Sequence, residues 1–191
     1  MAKATDSKEK TLAAAALLFR RQGFHGTALH DVVAAAGSPR GSLYFHFPGG
    51  KEQIGEAALD LAGEAVRAKI AHAAEASPNA EAFLTGIARA MAADLEKSDY
   101  CNGCPIATTA LETAAQSDVL AAAARRAFQS WEQEVARGLE RFGAKPDHAA
   151  LAATAVLSQI EGALLLARTY RSVEPLRRAE DVMKLLAKIV P

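Results

Sequence analysis

A short stretch, residues 27–51, constrains the fold more than any other part of the chain. Starting at Leu29, apolar residues recur at i, i+3, i+4 and i+7, which predicts one buried stripe on a helix of about two turns. Gly37 is expected to end this helix. Ser38 and Pro39 then predict a new start, because a capping hydroxyl and a proline at the first helical position both favour one. The pattern predicts two helices joined by a tight turn, as in a helix-turn-helix unit.

The second of these helices carries groups that suit a polyanion. Leu43 and Phe47 lie one turn apart and are expected to face inward, which leaves cationic, hydroxyl and aromatic groups outside. Arg side chains bridge guanine O6 and N7, and hydroxyls donate to phosphates, whereas the stretch holds a single acidic residue, Asp31. The candidate DNA-binding residues are Thr27 (also the expected N-cap of the first helix), Ser38, Pro39, Arg40, Gly41, Ser42, Tyr44, His46 and Lys51.

The charge of the chain is unevenly distributed. The formal net charge is zero, yet residues 1–51 hold seven basic and three acidic side chains and carry +4, so residues 52–191 carry −4. The positive part is the part that contains the helix-turn-helix pattern. This asymmetry favours double-stranded DNA as a partner.

The motif also resembles a known family. Ala36-Gly37, Gly41 to Tyr44, His46-Phe47 and Lys51 are similar to the DNA-binding signature of the TetR family of bacterial regulators, over roughly residues 8–55. The resemblance implies an N-terminal DNA-binding domain, a larger helical domain that binds a small-molecule inducer and forms a homodimer, and repression that the inducer relieves. To a lesser extent the chain resembles a multidrug- and flavonoid-responsive branch of that family.

Two departures from the family pattern are visible. The family usually has an apolar residue where this chain has Ser38. It also places its phosphate-contacting lysine one residue closer to the aromatic residue than Lys51 is to Phe47, and the difference falls in the segment Pro48-Gly49-Gly50.

The remaining sequence has helical periodicity and short interruptions, and no segment alternates with a period of two. We therefore predict an all-α protein, with a three-helix helix-turn-helix domain at residues 1–50 and a helical bundle for ligand binding and dimerisation at residues 51–191. A first helix closes at Gly23. The later helices are predicted at about 51–76, 79–97, 105–115, 117–142, 147–171 and 175–189.

A stripe in the helix predicted at 147–171 indicates the dimer interface. Its members advance in steps of three and four and include small residues, which let a partner helix approach closely. One recognition helix also spans too few base pairs to specify a site, so a palindromic operator and a homodimer are expected. The candidate dimerisation residues are Leu151, Thr154, Ala155, Ser158, Gly162, Leu165, Leu176 and Met183. The alternative is that the stripe is the core of the protomer itself.

Large apolar residues of the central helices are candidates for an inducer pocket. The candidate ligand-binding residues are Phe83, Ile87, Met91, Cys104, Leu111, Phe128, Trp131 and Gln159. Ordinary core packing is the alternative for each of them.

The pair Cys101 and Cys104 has C-x-x-C spacing, with Pro105 next in the chain. Three interpretations stay open: a loop with packing cysteines, a thiol-responsive switch of a repressor, and a metal site. A zinc site requires two further ligands, and neither a second C-x-x-C nor a histidine pair lies nearby. We expect neither a metal nor a cofactor.

Composition agrees with a cytoplasmic protein that does not enter a membrane. The N-terminus is polar, and no run of about 20 uninterrupted apolar residues occurs. The rival functions are an all-helical enzyme or carrier and a helical adaptor for protein partners. Glu-x-x-His, His-Glu-x-x-His and phosphate-loop motifs are absent from the sequence, so an enzyme is not expected.

Overall fold

The computed structural model describes residues 2–189, without the side chains of residues 2–6, 40, 42 and 189. Within that range every regular element is an α-helix, which confirms the all-α fold. The helices are α1 (Ala2–Gln22), α2 (Leu29–Ala36), α3 (Arg40–His46), α4 (Gly50–Ala76), α5 (Ala80–Lys97), α6 (Ala107–Thr113), α7 (Asp118–Arg141), α8 (Pro146–Tyr170) and α9 (Glu174–Ile189).

The chain forms two compact units. The first, here the reader unit, consists of Met1–Glu64 and Pro105–Ala127, and the second, the bundle unit, consists of Ala65–Cys104 and Phe128–Pro191. The unit boundaries fall inside α4 and α7, so each of these helices contributes residues to both units. The division into functional domains at residue 50 stays a prediction.

In the reader unit, α1 packs on α2 and α3 through its apolar side. Phe19 of α1 and Val32 of α2 are buried, and Phe19 also contacts Phe24, with ring centroids 5.2 Å apart. Gly37 ends α2 in the left-handed conformation, with φ of 60°, and its N–H bonds the last turn. The helix therefore ends at the predicted residue, because glycine adopts this conformation without a Cβ penalty.

The two predicted N-caps are wrong. Ala28, not Thr27, occupies the N-cap of α2, and the Asp31 carboxylate accepts a hydrogen bond from the Ala28 N–H at 3.1 Å. At α3 the N-cap is Pro39 itself, with extended backbone, and no side chain caps the helix. Ser38 therefore lies one residue too early to cap, and Pro39 precedes the first helical residue.

In the bundle unit, α9 packs on α5 and α8. Among the described residues, α8 is long and apolar enough to span a membrane by length and composition. Its apolarity has a packing explanation, because eight of its residues are buried in the unit: Ala149, Ala152, Ala153, Val156, Ile160, Ala163, Leu164 and Ala167.

A close helix crossing in the bundle unit gives a test of this packing. A Cβ added at Gly138 of α7 would lie 2.6 Å from a ring atom of the fully buried Phe83, whereas a Cβ at Gly86 of α5 would meet nothing within 4 Å. Gly138→Ala is expected to lower the free energy of unfolding by about 1–3 kcal/mol through overpacking. Gly86→Ala is expected to raise it by about 0.5–1 kcal/mol, because alanine favours a helix interior.

Urea unfolding of the full chain, followed by circular dichroism, measures both values. Equal shifts of the two variants in the same direction would contradict the described crossing.

Candidate nucleic-acid interface

Helix α3 has an inner and an outer face. Leu43 and Phe47 are each 1% exposed, which confirms that they face inward. On the other side, Tyr44 is 58% and Phe45 80% exposed, and His46 is half-buried with its ring 5.2 Å from that of Phe45. The outer face is therefore aromatic as well as polar.

The other candidates in and around α3 fall into two groups. Pro39 and Gly41 are exposed, and Ser38 is half-buried. Arg40 and Ser42 belong to α3, but their side chains lie outside the described part of the structure. A Cβ added at Gly41 would meet no atom within 4 Å, so no described residue covers this part of the helix.

Thr27 is not available to DNA. Its side chain is fully buried, and its hydroxyl donates a hydrogen bond to the Gly23 carbonyl at 2.8 Å. This buried hydrogen bond stabilises the turn between α1 and α2, so the assignment of Thr27 as a DNA contact is wrong.

Lys51 lies in the first turn of α4, half-buried beside an aromatic ring. Its Nζ is 4.5 Å from the ring centroid of Phe24, within the range of a cation–π contact. Burial lowers the pKa of Lys51, and the negative charge of Glu112 acts in the opposite direction. The ammonium group is thus held at the α1–α2 turn of the reader unit.

Glu112 of α6 is a residue that sequence reasoning missed. Its carboxylate accepts a hydrogen bond from the backbone N–H of His25 at 2.8 Å. It also fills the space above Gly23, where an added Cβ would lie 1.8 Å from Glu112 Oε1, and Gly23 has φ of 82°. The reader unit therefore includes α6 by direct contact with the α1–α2 turn. Sequence spacing gives no signal for a contact across 87 residues.

The candidate dimer residues divide between surface and core. Leu151, Thr154, Ser158, Gly162 and Leu165 of α8 are exposed, and Ala155 is half-buried. These α8 residues are thus not the core of the protomer. Leu176 and Met183 of α9 are fully buried in the bundle unit, so their assignment to an interface is wrong.

A groove lies on the same side of α8 and reaches α9. It has a volume of about 600 Å³ and is lined by Ser158, Gln159, Gly162, Ala163, Leu166, Tyr170, Ser172, Glu174, Pro175 and Arg178. Gln159, a ligand candidate, therefore lines this groove together with two dimer candidates, and none of the apolar ligand candidates is among the lining residues.

The other ligand candidates occupy three environments. Phe83, Cys104 and Trp131 are buried, and the Trp131 ring meets the Phe128 ring edge-on at 5.5 Å. The side chains of Ile87, Met91 and Phe128 are half-buried. Leu111 is 79% exposed and belongs to the reader unit, so it does not line a pocket in the bundle core and its assignment is wrong.

Cys101 and Cys104 are not joined by a disulfide, and they differ in exposure. Cys101 is exposed, and Cys104 is buried with its thiol hydrogen-bonded to Glu161. Burial raises the pKa of the Glu161 carboxyl, and this hydrogen bond lowers it by a smaller amount. Across the described part of the chain, no three His, Cys, Asp or Glu side chains come together as a metal site.

Two family models match the chain. Residues 12–58 match the model of bacterial regulatory proteins of the TetR family. Residues 80–182 match the model of the C-terminal domain of LmrA/YxaF-like transcriptional regulators. The first match contains the helix-turn-helix, and the second lies mostly in the bundle unit.

Relatives and solved structures agree with these models. The transcriptional regulator LmrA of Bacillus subtilis (strain 168) is 35% identical over 96% of this chain and 97% of its own length. The regulator YxaF of the same strain is 32% identical over 96% of each chain. A TetR regulator from Chloroflexus aurantiacus J-10-FL superposes with a TM-score of 0.82 at 29% identity, covering 97% of this chain and 96% of that one. The chain belongs to the TetR family, and it is a helix-turn-helix transcriptional regulator rather than an enzyme.

Proposed function

We propose that this regulator is a dimeric repressor that a small, largely apolar inducer releases from a palindromic operator. The observation that carries the DNA-binding part is the outer face of α3. This face is exposed and uncovered, and it lies in the part of the chain that carries +4. Major-groove binding by the second helix of a helix-turn-helix accounts for both properties.

Repression is proposed for two reasons. The family resemblance implies it, and a relative from Mycobacterium sp. (strain GP1), 29% identical over 83% of this chain and 81% of its own length, is named the transcriptional repressor DhaR. A transcriptional repressor acts in the cytoplasm, where we place this chain.

The proposed dimer uses the exposed stripe of α8. Leu151 and Leu165 are large apolar side chains that a soluble monomer would leave in water, and Ser158 and Gly162 between them are small enough for a second helix to approach. A second copy related by twofold symmetry would place the same stripe against itself.

The proposed inducer site lies in the bundle unit around Trp131 and Phe128. The edge-on ring pair provides an apolar wall, and Glu161 with Cys104 provides a polar group. Burial raises the pKa of the Glu161 carboxyl, because a buried site favours the uncharged form. An aromatic compound with one hydrogen-bonding group fits this chemistry. Helix α4 contributes residues to both units. We propose that it transmits the conformational change caused by the inducer to the reader unit.

If the basic reader unit binds DNA, its affinity for DNA is expected to fall steeply as the salt concentration rises. Lys51→Ala is expected to weaken binding to any duplex, and to reduce the slope of log K against log salt by about 0.9 for each phosphate that the variant no longer neutralises. Lys69→Ala is the matched control, because Lys69 is an exposed lysine of the same helix in the bundle unit. Fluorescence anisotropy with a labelled duplex, between low and physiological salt, measures the slopes. An equal reduction in the two variants would contradict the placement of Lys51 at the phosphates.

Induction predicts reciprocal coupling between inducer and operator. An aromatic polycyclic probe, for example a flavonoid, is expected to lower operator affinity, and the operator is expected to lower affinity for the probe by the same factor. Quenching of Trp131, the only tryptophan, reports probe binding. A probe that releases the operator yet binds free and operator-loaded protein equally well would disprove the coupling.

A thiol switch is the alternative, because Cys101 is exposed to oxidants. Measuring what releases the operator distinguishes this switch from an inducer. Release by oxidant alone, abolished in Cys101→Ser or Cys104→Ser, would replace the inducer model.

A further inference from the structure

Phe45 is the most exposed large apolar side chain among the described residues, at 80%. Its neighbours two positions away, Leu43 and Phe47, are buried. The packing of the reader unit therefore does not require an aromatic side chain at position 45, and leaving a phenyl ring in water has a free-energy cost.

Helical geometry places Phe45 at the outermost line of α3. Each residue turns the helix by about 100°, so position 45 points opposite to the midpoint of the Leu43–Phe47 stripe. Gly41 lies one turn earlier on the same line, with open space around it. The outermost part of α3 thus consists of the backbone of Gly41 and, one turn later, the phenyl ring of Phe45.

We propose that Phe45 contacts the C5-methyl group of one thymine in each half-site of the operator, and so selects thymine at that position. The inference rests on the proposed function, because it requires α3 to enter the major groove. Thymine is the base that presents an apolar group there, and a phenyl ring cannot satisfy the donors and acceptors of the other bases.

Two features of α3 support this contact. Gly41 removes the side chain that would otherwise hold the helix away from the groove floor. The edge-on contact of the Phe45 and His46 rings, at an interplanar angle of 77°, favours one orientation of the phenyl group. A restricted apolar ring binds a methyl group more tightly than a mobile one does, because less side-chain entropy is lost on binding.

The test replaces thymine methyl groups one at a time. Duplexes that bind the full-length wild-type protein are selected from random sequence, and each thymine of the consensus is then replaced by deoxyuridine, which lacks only the methyl group. Wild type is expected to lose about four-fold in affinity at one thymine position per half-site, the value for one buried methyl group. Phe45→Ala is expected to bind the thymine and uracil duplexes equally, and Phe45→Leu to retain part of the difference.

Leu61→Ala is the control, since Leu61 is a 46% exposed apolar residue of α4 in the same unit and outside α3. It is expected to show the wild-type loss. The proposal is overturned if wild type is insensitive at every thymine, if no thymine is selected, or if Phe45→Ala or Leu61→Ala departs from these expectations. In those cases the proposed function stands, because a consensus was recovered. Failure to select any sequence, with no salt-dependent binding, would overturn the proposed function as well.

Discussion

The burial of Leu43 and Phe47 against the rest of the reader unit is the constraint on which the DNA-binding surface depends. Helix α3 has seven residues, far fewer than an isolated helix needs to be stable in water. Burial of each of these side chains contributes about 1.5–3 kcal/mol, and the two lie one turn apart. They hold the short helix in one rotation about its axis. That rotation determines that Tyr44 and Phe45 face outward.

A second contact joins α6 to the reader unit. Glu112 comes from α6, far along the chain, and its carboxylate bonds the His25 N–H and covers Gly23. Because Gly23 has a positive φ and no side chain, the turn accommodates the carboxylate where a Cβ would displace it. The compact unit that contains the helix-turn-helix is therefore discontinuous in sequence, whereas the family resemblance implies an N-terminal domain.

Much of the fold is predictable from the sequence because its helix boundaries are set locally. Gly37 ends α2 and Pro146 begins α8, and both effects depend on one residue's backbone.

The N-cap prediction for α2 is wrong because polar groups near the start of that helix have more than one possible hydrogen-bond partner. Asp31 caps α2 while the Thr27 hydroxyl bonds the Gly23 carbonyl, and a sequence does not indicate which partner wins. The interface prediction for Met183 fails for a related reason, because core and interface stripes have the same period. Phe45 is not among the DNA contacts predicted from the sequence, because that prediction rests on hydrogen-bonding groups and not on apolar ones.

The most direct test of the account is chemical protection of operator DNA by the full-length protein. Dimethyl sulfate methylates guanine N7 in the major groove and adenine N3 in the minor groove. If two copies of α3 enter successive major grooves, guanines are protected in two clusters centred about 10 base pairs, or a multiple of that, apart, and adenines remain reactive. Protection of adenine N3 with reactive guanine N7, or a single protected cluster, would contradict the account.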